Sequence, residues 1–114
     1  MDLILASQST MRRRILNAAR IDAQFMSPQI DEENITKSLI AVQALPRDIA
    51  DTLAEHKALK ISRKNLGSLV IGCDQILVFE GKVFGKPASP EALKDILSRL
   101  SGQTHRLVTA NVIY

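Results

Sequence analysis

The sequence is poor in aromatic residues and in cysteine, and both shortages limit what the protein can do. Aromatic residues make up 4% of the 114 residues, and tryptophan is absent. A protein that stacks nucleic-acid bases needs several exposed aromatic rings, so no nucleic-acid partner is expected. The single cysteine, Cys73, excludes an internal disulfide. Because it lies in an apolar run, we interpret it as a small buried side chain rather than a nucleophile.

Long apolar runs are also missing, and so is a recognisable targeting segment. No run reaches the roughly 20 apolar residues of a membrane span. The three arginines at positions 12–14 follow the first apolar run, whereas a secretory signal places its basic residues before it. We therefore expect a cytoplasmic location and no membrane partner. The net charge of +3 suits an anionic ligand, and a solvated basic surface explains it equally well.

The apolar residues that are present suffice for one folded domain. They make up 46% of the chain, which predicts a single domain over residues 1–114. Their spacing predicts strands at 3–6, 23–26 and 104–114, a buried sheet region from 69 that includes a hairpin of 76–79 with 83–84, and helices at 10–19, 35–42, 46–61 and 90–100. In the last helix, Leu93, Ile96, Leu97 and Leu100 are expected to face the core. The strand pattern continues up to Tyr114, so we expect the domain to extend further.

One carboxylate, Asp74, lies inside the most apolar part of the chain, which runs from Leu69 to Pro87. Burying a carboxylate costs several kcal/mol unless it is paired or binds a metal. Gly72 allows another group to approach the backbone beside it, and Lys86 supplies a cation on the following Gly-Lys-Pro turn. An acid in a strand with a cation nearby predicts a site for a phosphate and its metal. The alternative is that Asp74 is a turn or bulge residue between two strands.

Hydroxyl groups and arginines cluster where the first predicted helix begins. Ser7 and Ser9 precede it, and such hydroxyls favour helix N-termini. Arg12 and its two neighbours fall in the first turn, where the helix dipole disfavours cations. An anion bound at this helix start would relieve the conflict, so we interpret the segment as an oxyanion site. The alternative is that the arginines point into water.

Two other charged groups fit either a site or a surface. Residues 31–33, Asp-Glu-Glu, could hold Mg²⁺ or could stabilise the start of the next helix through its dipole. Lys57 lies at the edge of the apolar stripe of the helix at 46–61. It could bind a ligand at a functional site. Alternatively, its apolar stem packs along the helix and its ammonium group extends into solvent.

Five separated motifs occur in a fixed order along the chain. They are Leu5-Ala6-Ser7-Gln8-Ser9 with Arg12, Ile30-Asp31-Glu32, Leu53-Ala54 with Lys57-Ala58, Ile71-Gly72-Cys73-Asp74-Gln75, and Gly85-Lys86-Pro87 followed by Leu100-Ser101-Gly102-Gln103-Thr104-His105. Each motif is weak alone, but their order and spacing are specific. Over essentially its whole length, the sequence resembles the Maf family of nucleoside triphosphate pyrophosphatases.

The resemblance implies an α/β fold, with a mixed twisted sheet flanked by helices as in Maf and ITPase-like proteins, usually in a homodimer. It implies cleavage of a nucleoside triphosphate to the monophosphate and pyrophosphate with a divalent cation, Mg²⁺ or Mn²⁺. Such cleavage would limit the incorporation of non-standard nucleotides. By this likeness Asp74 is the proton acceptor and binds the metal together with Glu32. The phosphate-binding residues would be Ser7, Ser9, Arg12, Lys57 and Lys86.

Two positions indicate a branch of the family. Members that cleave dTTP and UTP tend to carry an arginine and a threonine where this chain has Met11 and Gln75, and the chain is similar here to the branch acting on 7-methyl-GTP. We expect Met11 and Gln75 to select the base, the amide by hydrogen bonding and the methionine by packing. Family members usually continue past Tyr114 with a segment that completes the pocket. The alternative function is a non-catalytic, septum-related interaction protein on the same fold.

Overall fold

The computed structural model describes residues 2–114, which form five strands and four helices. The elements are β1 Leu3–Ala6, α1 Thr10–Ala18, β2 Gln24–Met26, α2 Glu32–Ala41, α3 Pro46–Ser62, β3 Leu69–Phe79, β4 Lys82–Phe84, α4 Pro90–Leu100 and β5 Arg106–Ile113. They confirm the predicted α/β fold. Within the described residues, no helix is both long and apolar enough to cross a lipid bilayer.

Strand β3 is the centre of a five-stranded mixed sheet. β1 pairs in parallel with both β2 and β3, whereas β4 and β5 pair antiparallel with β3. β3 therefore has partners on both edges, which explains why its sequence is almost wholly apolar and rich in β-branched residues.

One edge of β3 has a gap between two partner strands. β5 pairs along one edge, so β1 and β4, which bond to parts of the same stretch, must share the other edge. The pairing with β1 ends at Gly72, and the pairing with β4 begins at Leu77. In the part of the chain that the structure describes, residues 73–76 have no strand partner on this edge. The chain that leaves β1 and the chain that leaves β4 both run towards this gap.

Helix α3 covers one face of the sheet at short range. A Cβ atom added to Gly72 would lie 2.2 Å from the main-chain oxygen of Ala54 and 2.7 Å from Cβ of Ala58. Glycine on the strand and alanines on the helix thus allow the two backbones to come close together. Lys57, between the two alanines, is held beside β3 as a result. We call this side of the sheet the closed face; Gly72, Asp74 and Ile76 of β3 lie on it.

The predicted hairpin between β3 and β4 is confirmed. Phe79 pairs with Lys82, so Glu80 and Gly81 form a two-residue loop. Their φ angles of 51° and 75° are both positive, as a type I′ turn requires. The turn reverses the chain, so that the residues after β4, including Lys86, return towards the middle of β3.

The apolar pattern of α4 does not lead to the core. Leu93 and Leu97 are 44% and 56% exposed, and Ile96 and Leu100 are only partly buried. The expectation that this face joins the core is therefore wrong for the described residues. The helix is amphipathic as predicted, but no other helix or strand of residues 2–114 packs extensively against it. An apolar stripe reveals that a helix has a face to cover, not which element covers it.

Candidate functional site

Lys57, a buried lysine, contacts two carboxylates from separate elements. Its Nζ atom lies 2.9 Å from Oδ1 of Asp74 and 2.6 Å from Oε1 of Glu32. Lys57 and Asp74 are 8% and 6% exposed, respectively. Helix α3 supplies the lysine, β3 the aspartate and the first turn of α2 the glutamate. Two ionised groups can be buried together because each one satisfies the other.

This contact resolves two of the alternatives that the sequence leaves open. Asp74 lies within β3, opposite Ala110 of β5 in an uninterrupted register, so its interpretation as a turn or bulge residue is wrong. Lys57 is buried and bonded to two carboxylates, so its ammonium group does not extend into solvent.

The gap in the edge of β3 is filled by basic side chains. The main-chain oxygen of Cys73 accepts hydrogen bonds from Nη1 of Arg12 and from Nζ of Lys57, each at 3.4 Å. Nη1 of Arg12 also donates to Oγ of Ser7 at 3.2 Å, and the same Oγ accepts from the backbone N–H of Ser9 at 3.0 Å. A buried carbonyl that lacks a strand partner needs another donor. The missing strand pairing therefore helps to position both cations.

The hydroxyl-rich segment is a helix start, as predicted. Oγ of Ser9 caps α1 by accepting a hydrogen bond from the backbone N–H of Arg12 at 3.2 Å. The first turn of α1 contains no acidic residue. The arginines separate: the guanidinium of Arg13 lies 4.8 Å from the centre of the Phe25 ring, whereas Arg12 turns towards the gap in β3.

A polar cavity of about 590 Å³ opens beside these groups. It contains every residue predicted to bind phosphate, together with Glu32. The lining residues are Ser7, Gln8, Ser9, Arg12, Pro28, Gln29, Ile30, Glu32, Lys57 and Lys86. Asp74 is not among them: it lies behind Lys57, to which it is bonded. Sequence reasoning did not single out Gln29, whose neutral side chain gives no chemical signal.

Burial raises the pKa of the Asp74 carboxyl above its ordinary value of 3.8. Desolvation is the main cause, and the nearby charge of Glu32 acts in the same direction. The hydrogen bond and charge of Lys57, and the charge of Arg12, lower the pKa but do not outweigh the burial. A carboxylate with a raised pKa is a stronger proton acceptor than an exposed one.

The acidic cluster at 31–33 divides among three roles. Oδ1 of Asp31 caps α2 by accepting from the backbone N–H of Asn34 at 3.2 Å. Glu33 pairs with Lys37 at 3.0 Å on the exposed surface. Of the three acids, Glu32 alone lines the polar cavity. The helix-start interpretation therefore holds for Asp31, and Glu32 is the acid placed at the candidate site.

The carboxylates at this site fit a divalent cation. Oδ2 of Asp74 is buried and has no hydrogen-bond partner among the described residues, while Glu32 reaches the same Lys57 from the cavity side. No group of three or more His, Cys, Asp or Glu side chains within residues 2–114 could hold a metal by itself. Mg²⁺ commonly takes one or two carboxylates and completes its shell with water and substrate phosphates. Glu32 and Asp74 suit that arrangement.

A second cleft, of about 700 Å³, lies on the opposite side of β3. We call this side the open face; Ile71, Cys73 and Gln75 of β3 lie on it. Met11 and Gln75 both line the cleft, and Nε2 of Gln75 donates to Oγ1 of Thr109 at 3.2 Å. Ser9 and Arg12 line both cavities, so the two clefts adjoin.

Two polar residues of the open face were missed at the level of sequence. Thr109 and Asn111 line the second cleft from β5. Their only signal was the alternation along β5, which placed these polar side chains on one face.

The interpretation of Cys73 as a buried side chain is confirmed, and burial raises the pKa of its thiol, which disfavours the thiolate.

Comparisons with known proteins agree with these observations. Residues 2–114 match the profile of the family described as Maf-like protein. A protein of Ruegeria pomeroyi named nucleoside triphosphate pyrophosphatase is 49% identical over 112 residues, which cover 98% of this chain and 56% of that protein. A protein of Brucella abortus named 7-methyl-GTP pyrophosphatase is 42% identical over 111 residues, which cover 97% of this chain and 56% of that protein.

The match leaves a large part of each relative uncovered. The chain spans about half the length of the curated relatives that it matches. Within the matched part, identity is high and the family profile extends over nearly every residue. On these grounds the chain belongs to the Maf family.

Proposed function

We propose that the protein is a nucleoside triphosphate pyrophosphatase, which hydrolyses a nucleoside triphosphate to the monophosphate and pyrophosphate. The proposal rests on how the charged side chains are arranged around the polar cavity. Arg12, Lys57 and Lys86 line a single polar cavity, with the buried carboxylate of Asp74 directly behind it. The names of the relatives from R. pomeroyi and B. abortus support the same reaction.

In the proposed reaction, water attacks the α-phosphorus and the bond from that phosphorus to the α–β bridging oxygen breaks. Asp74 accepts a proton from the attacking water, a role that its raised pKa supports. The departing pyrophosphate carries negative charge, which Arg12, Lys57 and Lys86 would stabilise by direct contact. Ser7 and Ser9 would donate hydrogen bonds to phosphate oxygens from the adjoining wall.

A divalent cation, Mg²⁺ or Mn²⁺, would be held by Glu32 and Asp74 together with phosphate oxygens. When bound, it would neutralise phosphate charge and fix the orientation of the triphosphate. The cation would thereby add to the stabilisation of phosphate charge by the three basic side chains. Oδ2 of Asp74, which has no hydrogen-bond partner within residues 2–114, is the feature of this chain that supports binding of the cation.

We further propose that the base occupies the cleft on the open face, where Met11 and Gln75 would select it. A methionine can pack against a purine, and a glutamine amide can both donate and accept hydrogen bonds at a base edge. The name of the B. abortus relative supports 7-methyl-GTP as the substrate. Because Ser9 and Arg12 line both clefts, one nucleotide can reach from the open face into the polar cavity.

The single-domain organisation, the homodimer and the cytoplasmic location belong to the same proposal. They are implied by the family, and free nucleotides are a cytoplasmic substrate. Removal of non-standard nucleotides from the precursor pool would be the biological consequence.

The proposal is tested by a panel of nucleotides. The 114-residue chain and a full-length R. pomeroyi relative would be incubated with 7-methyl-GTP and the standard triphosphates, with Mg²⁺ or Mn²⁺. We expect equal amounts of monophosphate and pyrophosphate, and a loss of about 10²–10⁴-fold in kcat/KM on Asp74→Asn. Asp51→Asn, an exposed acid on α3, is the control and should leave the rate unchanged. No pyrophosphate from either protein would overturn the proposal.

One observation favours the alternative function. The open face of the sheet presents exposed apolar side chains such as Met11 and Ile15. A non-catalytic interaction protein would bind its partner equally well with Asp74→Asn and without Mg²⁺. Pull-down binding that does not respond to either change, together with absent hydrolysis, would favour that alternative.

A further inference from the structure

Lys57 is surrounded by oxygen atoms in the way that a bound cation is. Its Nζ atom lies 2.6 Å from Oε1 of Glu32, 2.9 Å from Oδ1 of Asp74 and 3.4 Å from the main-chain oxygen of Cys73. An ammonium group has three hydrogens to donate, so these three oxygens can satisfy it completely. The same two carboxylates are the ones that fit a divalent cation.

The ammonium group also separates Asp74 from the cavity. Lys57 and Glu32 line the polar cavity, whereas Asp74 contributes no lining atoms and touches Lys57 from behind. A divalent cation that reaches both carboxylates must come close to Nζ, and two positive charges at that distance repel strongly in a partly buried site. A cation held through the other carboxylate oxygens, such as Oδ2 of Asp74, would still lie close to Nζ, so Lys57 and the cation compete for the two carboxyl groups.

The backbone around Lys57 is closely packed, which leaves it little room to relieve this repulsion. The close contact of Gly72 with Ala54 and Ala58 fixes α3 against β3 on both sides of Lys57. The side chain, in contrast, has four rotatable methylene groups. If the buried ammonium group leaves the two carboxylates, it needs another anion as a partner. Arg12 and Lys86 line the same cavity as Lys57, and three cations around one cavity are typical of a phosphate site.

We propose that Lys57 competes with the divalent cation for Glu32 and Asp74 and yields only when a triphosphate offers its ammonium group new oxygen partners. In the nucleotide-free protein the lysine keeps both carboxylates paired, so the free protein binds the cation weakly. Cation and nucleotide then bind together, and Lys57 passes from the carboxylates to the phosphates. This inference rests on the proposed function for the identity of the nucleotide, but the competition itself does not.

The competition is tested by Mn²⁺ binding without nucleotide, measured by electron paramagnetic resonance on the 114-residue chain. Lys57→Gln keeps a polar side chain of similar length and removes the positive charge. We expect it to bind Mn²⁺ at least about tenfold more tightly than the unaltered protein. Adding Glu32→Gln to Lys57→Gln should abolish that gain. Lys37→Gln removes a lysine from an exposed ion pair with Glu33 and should leave Mn²⁺ binding unchanged.

Equal Mn²⁺ affinity in the unaltered protein and in Lys57→Gln would overturn the proposal, provided circular dichroism shows both folded. A second measurement needs no variant of the site. In protein with ¹³C-labelled lysine, the Cε signal of Lys57 should stay in place with Mg²⁺ alone and shift with Mg²⁺ plus a non-hydrolysable triphosphate. A shift with Mg²⁺ alone would also overturn it. A gain in Mn²⁺ affinity, with no pyrophosphate released by either the unaltered 114-residue chain or the full-length relative, would overturn the proposed function and leave the competition standing.

Discussion

The closed and open faces of β3 carry different kinds of surface, although their residues alternate along one strand. On the closed face, α3 packs so tightly that Gly72 has no room for a methyl group, and Ile49 is 1% exposed. On the open face, α1 has no buried residue, and Met11 and Ile15 are 60% and 64% exposed. The closed face supplies the buried charged pair, and the open face a more exposed, mainly apolar cleft. A site that holds a constant triphosphate and a variable base needs both properties.

The largest expected difference is in the free energy of unfolding, when an isoleucine is truncated to alanine on the closed face and on the open face. Ile49→Ala should lower the free energy of unfolding by about 2–5 kcal/mol because it leaves a cavity in the core against Ile76 and Ala110. Ile15→Ala should change it by less than about 0.5 kcal/mol because its side chain already faces solvent. Urea denaturation measures both. Equal losses would show that the open face is packed in solution.

A smaller loss of stability is expected from adding one methyl group. Gly72→Ala should cost about 1–3 kcal/mol, since the new Cβ would overlap backbone atoms of α3 that cannot rotate away. Gly85→Ala is the control: a Cβ there meets no atom of the described residues within 4 Å, so the substitution should be tolerated. Thermal unfolding of the two variants compares them directly. A tolerated Gly72→Ala would contradict the close approach of α3 to β3.

On the open face the expected effect is on selectivity rather than on stability. Gln75→Ala removes the amide that contacts Thr109 in the second cleft. If this amide reads the base, the ratio of kcat/KM between 7-methyl-GTP and GTP should change by up to about tenfold, the worth of one hydrogen bond. The melting temperature should barely move, because Gln75 is exposed. An unchanged ratio would place base selection elsewhere.

The smallest effect concerns pH. Asp74, the proposed proton acceptor, must be ionised to accept a proton. Because burial raises its pKa, hydrolysis should decline with falling pH already above pH 3.8. A pH–rate profile, with folding followed in parallel, locates this acid limb. Asp51→Asn should leave it in place. A limb at or below 3.8 would mean that the cation or the phosphates keep Asp74 more strongly ionised than the free protein does.

Local patterns predicted the elements well because their causes are local. The stripe from Ile49 to Ile61 defined α3, and the turn containing Gly81 between two apolar runs defined the hairpin, since glycine readily adopts a positive φ. The predicted phosphate residues also came together around one cavity.

Features that depend on distant pairing could not be predicted in the same way. The ion pair of Lys57 with Asp74 requires α3 to lie directly on β3, and the sequence shows only that each has an apolar side. The gap at 73–76 follows from where β1 and β4 stop pairing, which no periodicity records. The face of α4 was misjudged for the same reason, as its partner is not a property of its own residues.

Successive side chains of β3 alternate between the closed and open faces, and this restricts how the length of the strand can vary. Asp74 and Gln75 are neighbours in sequence, yet one side chain enters the closed face and the other the open face. Inserting or deleting a single residue after Gly72 would turn each of them to the wrong side. Proteins descended from a common ancestor with this one should therefore change loop lengths freely but keep this strand free of insertions, whatever base they have come to prefer.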